Sequence, residues 1–171
     1  PSALAQAPAR MGAGPYDDGH SSWTYSGAWM AYSGSGPLNN SMHYTSTMGD
    51  LASFVFTGTK FILTYTKLSN RGSFEIWLDG TTLVTTINAY SPTLQWQQTY
   101  TSPSYANGDH VVTIKHVGPA GKVIDVDAIQ IVGPPPPPVP VGTYEDDDSH
   151  WVYSSGWTAY SGSGPTNNSM Q

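Results

Sequence analysis

Two pairs of carboxylates stand near the two ends of one stretch of chain. Asp17 and Asp18 open it, and Asp125 and Asp127 alternate along its last strand-like segment. If the first and last segments lie side by side, the pairs converge. Convergent carboxylates with neighbouring backbone carbonyls suit Ca²⁺, which takes six to eight oxygens, and without a cation their mutual repulsion costs stability. The alternative is that Asp17 or Asp18 bonds to hydroxyls and backbone amides while Asp125 faces solvent. Both readings stand.

Other chemistry is sparser. Asn39-Asn40-Ser41 is an acceptor sequence for N-linked sugar, placing the glycan on Asn39, and it recurs as Asn167-Asn168-Ser169, placing one on Asn167. The turn-like run Ser33-Gly34-Ser35-Gly36-Pro37 precedes the first of them. Equally, such Asn side chains cap turns through their own backbone. Among the aromatics, Trp23 and Trp29 are expected in the core and Trp96 in phase with core positions. Trp77, on the opposite face of its strand from Ile76 and Leu78, is the one expected to stay exposed and stack on a sugar ring. Catalysis has little to work with. The histidines His20, His43, His110, His116 and His150 lack metal-ligand spacing, and there is no cysteine to join them. No Gly-x-Ser-x-Gly elbow occurs, and Glu75, with Asp79 at the following turn, is the only Glu of the complete repeat. The chain reads as a non-enzyme, with no cofactor beyond that calcium.

The elements that must position these residues are short and alternate with period two. Phe54/Phe56, Phe61/Leu63/Tyr65, Phe74/Ile76/Leu78, Leu94/Trp96, Val112/Ile114/His116 and Val126/Ala128 opposite Ile129/Ile131 read as strands. Turn chemistry separates them, most sharply at Asp79-Gly80, a hairpin signature. No window carries an apolar stripe at helical spacing. The expected fold is all-β, an antiparallel two-sheet sandwich, most simply a jelly roll.

The sequence also repeats. Tyr16-Asp17-Asp18, Trp23-Thr24-Tyr25-Ser26 and Ala31-Tyr32-Ser33-Gly34-Ser35-Gly36-Pro37 return 128 positions later (144 − 16) as Tyr144-Glu145-Asp146, Trp151-Val152-Tyr153-Ser154 and Ala159-Tyr160-Ser161-Gly162-Ser163-Gly164-Pro165. That period fits a whole domain. The organisation read from it is an arm over 1–14, a β-sandwich repeat over 15–133, a proline linker over 134–142 and the start of a second repeat over 143–171. Pro134, Pro135, Pro136, Pro137 and Pro138 impose polyproline II, a semi-rigid spacer of roughly 20–25 Å with the residues that follow. If hydroxylated, these prolines are further, weaker glycosylation candidates. Residues 143–171 are either a window onto a longer array or an arm that pairs with the next subunit in a head-to-tail polymer.

Charge narrows the partners. A formal net charge of −6, with Arg10, Lys60, Lys67, Arg71, Lys115 and Lys122 scattered, offers no basic stripe for nucleic acid. No apolar run reaches the length of a membrane span. The segment Ala3-Leu4-Ala5 followed by Gln6-Ala7 looks like the tail of a processed export signal, so the expected location is the cell exterior, and the sequons count only if the chain is exported.

Taken in order, Tyr16-Asp17-Asp18 leading to Trp23-Thr24-Tyr25-Ser26-Gly27, then Phe54-Val55-Phe56-Thr57-Gly58-Thr59, Gly72-Ser73-Phe74-Glu75-Ile76-Trp77-Leu78-Asp79-Gly80, Asn107-Gly108-Asp109-His110-Val111-Val112-Thr113-Ile114 and Val126-Asp127-Ala128-Ile129 resemble the galactose-binding-like jelly-roll modules of exported proteins. The resemblance covers about residues 16–132. It implies a β-sandwich used both as a carbohydrate-binding appendage and as a repeat of large surface proteins. It also implies a structural calcium between the first strand and an Asp of the last, which maps onto Asp17, Asp18 and Asp127. Tyr-Asp-Asp replaces the alternating Glu residues common in that family. The sequence ranks first a structural repeat of an extracellular fibre or surface stalk, glycosylated, with itself and neighbouring repeats as partners. A lectin-like carbohydrate-binding module is the alternative.

Overall fold

Strand alternation and turn chemistry are realised almost throughout the first repeat. The computed structural model describes residues 10–134 and the backbone of Tyr160–Ser161 and Ser169–Met170. The arm before residue 10, Pro135 to Pro138, Glu145 to Asp148, His150 and Asn167 lie outside the described residues. The chain divides into two compact units, Pro1–Pro134 and Pro135–Gln171.

In the first unit the strands run β1 (Gly14–Asp17), β2 (Trp23–Ser26), β3 (Met30–Ser33), β4 (Ser41–Thr45), β5 (Leu51–Gly58) and β6 (Lys60–Lys67). They continue as β7 (Ser73–Leu78), β8 (Thr82–Asn88), β9 (Gln95–Thr101), β10 (Gly108–Gly118), β11 (Ile124–Val126) and β12 (Ala128–Val132). A single 3-10 turn spans Leu38–Asn40. One sheet has the order β1-β12-β6-β9 and the facing sheet β2-β5-β10-β7-β8, while β11-β4-β3 forms a third, smaller sheet. All these strand pairings are antiparallel. The architecture is an all-β sandwich.

The core lies where the inward rows of the two large sheets meet. Phe54 and Phe56 of β5, Phe74 and Ile76 of β7, and Val112 and Ile114 of β10 pack toward Phe61 and Leu63 of β6 and Ile129 and Ile131 of β12, all essentially solvent-free. Phe56 and Phe61 meet edge to face, 6.0 Å between centroids. Each such side chain contributes about 1.5–3 kcal/mol by leaving water. The β7–β8 hairpin turns at Asp79 and Gly80, both with positive φ (52° and 71°), as a two-residue primed turn requires. Trp23 is buried and Trp29 half-buried against the core, as expected.

Two departures matter for function. The last segment is not one strand: it breaks at Asp127, Asp125 belonging to β11 in the small sheet and the residues after Asp127 to β12 in a large one. Its neighbours on both sides, Val126 and Ala128, are therefore buried instead of alternating. Leu94 lies 47% exposed ahead of β9, and Trp96 is half-buried beside a surface hollow instead of in the core.

In the second unit, β13 (Tyr160–Ser161) pairs antiparallel with β14 (Ser169–Met170), matching Tyr160 to Met170 and Ser161 to Ser169. In the first unit Tyr32 pairs with Met42 and Ser33 with Ser41, the same register 128 positions earlier.

Candidate functional site

The small sheet presents one face to a hollow. Register puts Met30 opposite Tyr44, Tyr32 opposite Met42 and Tyr44 opposite Asp125, so these side chains share a face. The hollow, of about 240 Å³, is lined by Tyr32, Met42 and Tyr44 from this face, Trp96 of β9, Val123, and Asn70 and Arg71 from the β6–β7 connection. Its volume lies below the roughly 300–1,000 Å³ typical of drug-sized ligand sites and suits a single small ring. Tyr32 and Trp96 stand nearly parallel, 6.4 Å apart with 23° between planes.

What holds Trp96 there is the loop after β3. Gly34 lies against the Tyr32 ring and Gly36 against the Trp96 indole so closely that a Cβ on either meets the ring. Gly36 also has φ +122°, a conformation few residues other than glycine adopt. The Gln97 amide donates to the Gly36 carbonyl at 2.9 Å, tying loop to strand. The Ser-Gly-Ser-Gly pattern is thus read as ring clearance. Gly36→Ala is expected to displace the indole, weaken saccharide binding at least tenfold and leave the core intact. A variant that binds like the parent while melting normally contradicts this role.

Beneath the rings, Arg71 Nε lies 2.7 Å from Asp125 Oδ2, both groups almost fully buried. Asp125 Oδ1 accepts from the Thr66 amide at 2.7 Å. Burial outweighs the guanidinium and lifts the Asp125 carboxyl to about 6. Asp125 is therefore buried behind Arg71, which lines the hollow, and does not face solvent.

The remaining acidic residues gather elsewhere. Because β1 pairs with β12, the amide of Asp18 bonds to the carbonyl of Asp127 at 3.0 Å. The Asp127 carboxylate accepts from the Leu38 amide at 3.0 and 3.2 Å. Ser41 Oγ reaches Asp18 Oδ1 at 2.6 Å and Asp17 Oδ2 at 3.3 Å. His43 Nδ1 meets Asp18 Oδ2 at 2.6 Å, and its ring stacks on Tyr25 at 4.3 Å. Asp17, Asp18 and Asp127 do converge; Asp125 is held apart by Arg71.

As a calcium cage the fit is partial. Asp18 and Asp127 already have protein donors, and only Asp17 Oδ1 is buried without one. Among the described residues no three His, Asp or Glu side chains are arranged as a metal-binding group. Nor does Ser41 make a nucleophile with His43, because its hydroxyl is given to carboxylates and not to the imidazole. Glu75 accepts from the Trp77 indole at 2.8 Å, and Asp79 is spent on the Val111 amide and His110.

Burial, with the charges of Asp125, Asp17 and Asp18, pushes the Asp127 carboxyl up to about 7 against the opposing Leu38 bond. The unfolded chain releases this proton near pH 4 while the folded one keeps it to about 7. The stabilisation is therefore complete below pH 4 and lost as pH rises toward 7. Melts in chelator should show the melting temperature falling across this window, and Asp127→Asn should remove the part between about pH 6 and 7. A melting temperature that rises steadily from pH 4 to 7 contradicts it.

The exposed sequon residue Asn39 sits in the 3-10 turn at φ 48°, and Trp77 is half-buried on the outer face of the five-stranded sheet.

No protein-family model matches the chain, and no curated protein is similar to it in sequence. Solved structures share the fold. A Paenibacillus xanthan lyase is 16% identical with a TM-score of 0.56, covering 75% of this chain and 14% of that one. A family two carbohydrate esterase from Cellvibrio japonicus is 14% identical with a TM-score of 0.54, over 71% and 33%. A family 35 carbohydrate binding module from Clostridium thermocellum is 11% identical with a TM-score of 0.54, over 70% of this chain and 98% of that module. The chain thus spans a third or less of the two enzymes and nearly the whole of the module. The shared feature is the fold, an antiparallel all-β sandwich that this chain has in common with that module and with domains of the two enzymes.

Proposed function

We propose that the first repeat is a non-catalytic carbohydrate-binding module that holds a sugar ring in the Tyr32–Trp96 hollow. The observation that carries this reading is the pair of near-parallel aromatic rings, clamped by a glycine loop, with the Asn70 side chain and the Tyr44 hydroxyl beside them. Flat apolar rings flanked by a few polar groups are the chemistry of sugar recognition. The solved proteins of this fold that act on or bind carbohydrate support the same reading. Electrophoresis of the full chain through gels containing β-1,3-galactan, xylan, mannan or glucan tests it. Retardation on at least one, abolished by free sugar, is expected; unretarded migration on all contradicts it.

The repeat and its proline spacer add the second half of the proposal: such modules strung along an extracellular fibre or stalk, glycosylated at Asn39. What supports it is the 128-residue repetition and the recurrence of the β3–β4 register in β13–β14.

Calcium at Asp17, Asp18 and Asp127 is a separate proposal, supported by the unpartnered Asp17 Oδ1 and by the crowding of carboxylates. An ion bound only by the native state raises the melting temperature. Melts with calcium and with chelator are expected to differ by several degrees; identical melts leave these carboxylates to Ser41, His43 and Leu38.

A further inference from the structure

The outer face of the five-stranded sheet holds a second, larger feature. Residues of β5 that point away from the core, Leu51, Ser53, Val55 and Thr57, are all half-buried although no further sheet or helix of the described residues covers them. The same is true of Glu75 and Trp77 on β7. Outward side chains shelter one another in this way when a sheet face is hollow. An open depression of about 500 Å³ lies here, lined in part by Leu51, Ser53, Trp77, Thr113 and Lys115.

The strand register arranges these groups in two rows. Thr113 stands between Ser53 and Trp77, and Lys115 between Leu51 and Glu75. Neighbouring strands lie about 4.8 Å apart, so three strands span roughly 10 Å, the length of about two sugar units. Trp77 donates its indole N–H to Glu75 at 2.8 Å, which pins the ring. Ser53 and Thr113 share a hydroxyl contact at 2.9 Å, so each retains capacity for another partner. Lys115 is exposed and has no ion pair among the described residues.

We propose that this face is a second binding site, taking an internal stretch of a neutral polysaccharide. One pyranose ring stacks on Trp77, and hydroxyls of the same and the next unit bond to Lys115, Ser53 and Thr113. An open depression admits a continuous chain, whereas the smaller Tyr32–Trp96 hollow suits a single ring. Neutral chains are favoured over acidic ones because Glu75 stands opposite Lys115 and the whole chain carries a formal charge of −6. The site is independent of the first: its residues come from β5, β7 and β10, none of which lines the Tyr32–Trp96 hollow.

The test uses the full chain, Trp77→Ala, Lys115→Ala and Trp96→Ala in gels of the same neutral polysaccharides, with polygalacturonate as the acidic arm. Calorimetry with mono- and disaccharides runs alongside. Trp77 is outside the core, so its variant is expected to melt like the parent; if it does not, Lys115→Ala carries the test. Trp77→Ala should lower polysaccharide affinity about fivefold or more and leave monosaccharide binding unchanged, whereas Trp96→Ala should abolish monosaccharide binding and leave the Trp77-dependent part of polysaccharide retention in place. Loss with Trp77→Ala alone upholds this face even if the Tyr32–Trp96 reading fails. The proposal is overturned if folded Trp77→Ala and Lys115→Ala bind every neutral polysaccharide as the parent does, or if only polygalacturonate is retained.

Discussion

Trp96→Ala is expected to cut affinity for a saccharide in the hollow by about thirtyfold, roughly 2 kcal/mol, the loss usual when a central aromatic contact is truncated. The ring supplies one wall outright. Its removal also frees Gly36 and the loop that Gln97 ties to it, so Tyr32 loses the ring stacked beside it. Stability should change little, because Trp96 is not among the buried residues of the core. Titration calorimetry beside a thermal melt checks both halves. A large fall in melting temperature returns Trp96 to the core, and unchanged affinity removes it from the site.

Arg71→Ala is expected to destabilise the domain by about 3–5 kcal/mol, since it strands a buried carboxylate without a counter-charge. For a domain of this size that corresponds to a fall in melting temperature of about 10–20 °C. Asp125 then keeps Thr66 as a partner but no cation, and the hollow loses the lining that Arg71 supplies. Replacing both partners, Arg71→Met with Asp125→Leu, should recover most of the loss, because the cost lies in the orphaned charge and not in the pair's net worth. Denaturant unfolding of the two variants decides it. If the double variant is as unstable as Arg71→Ala, the charge argument fails and packing is the cause.

The sandwich was legible because its signals are local. Phe54 and Phe56, Phe74 and Ile76, or Val112 and Ile114 announce an inward row through alternation alone, and Asp79-Gly80 announces its turn. Asp17, Asp18 and Asp127 were legible as a group once the first and last strands were taken as neighbours, and β1 does pair with β12. Asp125 was not. Alternation placed it beside Asp127 on one strand, but the chain changes sheets at Asp127 and hands Asp125 to Arg71, a partner 54 residues away (125 − 71). Trp96 was misplaced for a similar reason: Gln97 has φ 53° in β9, near where the pairing with β6 slips, and period two fails there. The signal that could have found it is the Ser-Gly-Ser-Gly run, present in both copies, where two glycines leave room for rings. Ranking scaffold above lectin followed from seeing no cleft. The Tyr32–Trp96 hollow is what moves the proposal for the first repeat toward binding.

The most direct measurement is a two-dimensional NMR titration of the full chain with the neutral oligosaccharide found to bind, following the indole N–H signals of its six tryptophans. The account predicts that the Trp96 signal shifts in proportion to saturation while those of the buried Trp23 and the core-packed Trp29 hold still. A saturating ligand that leaves Trp96 unmoved contradicts it.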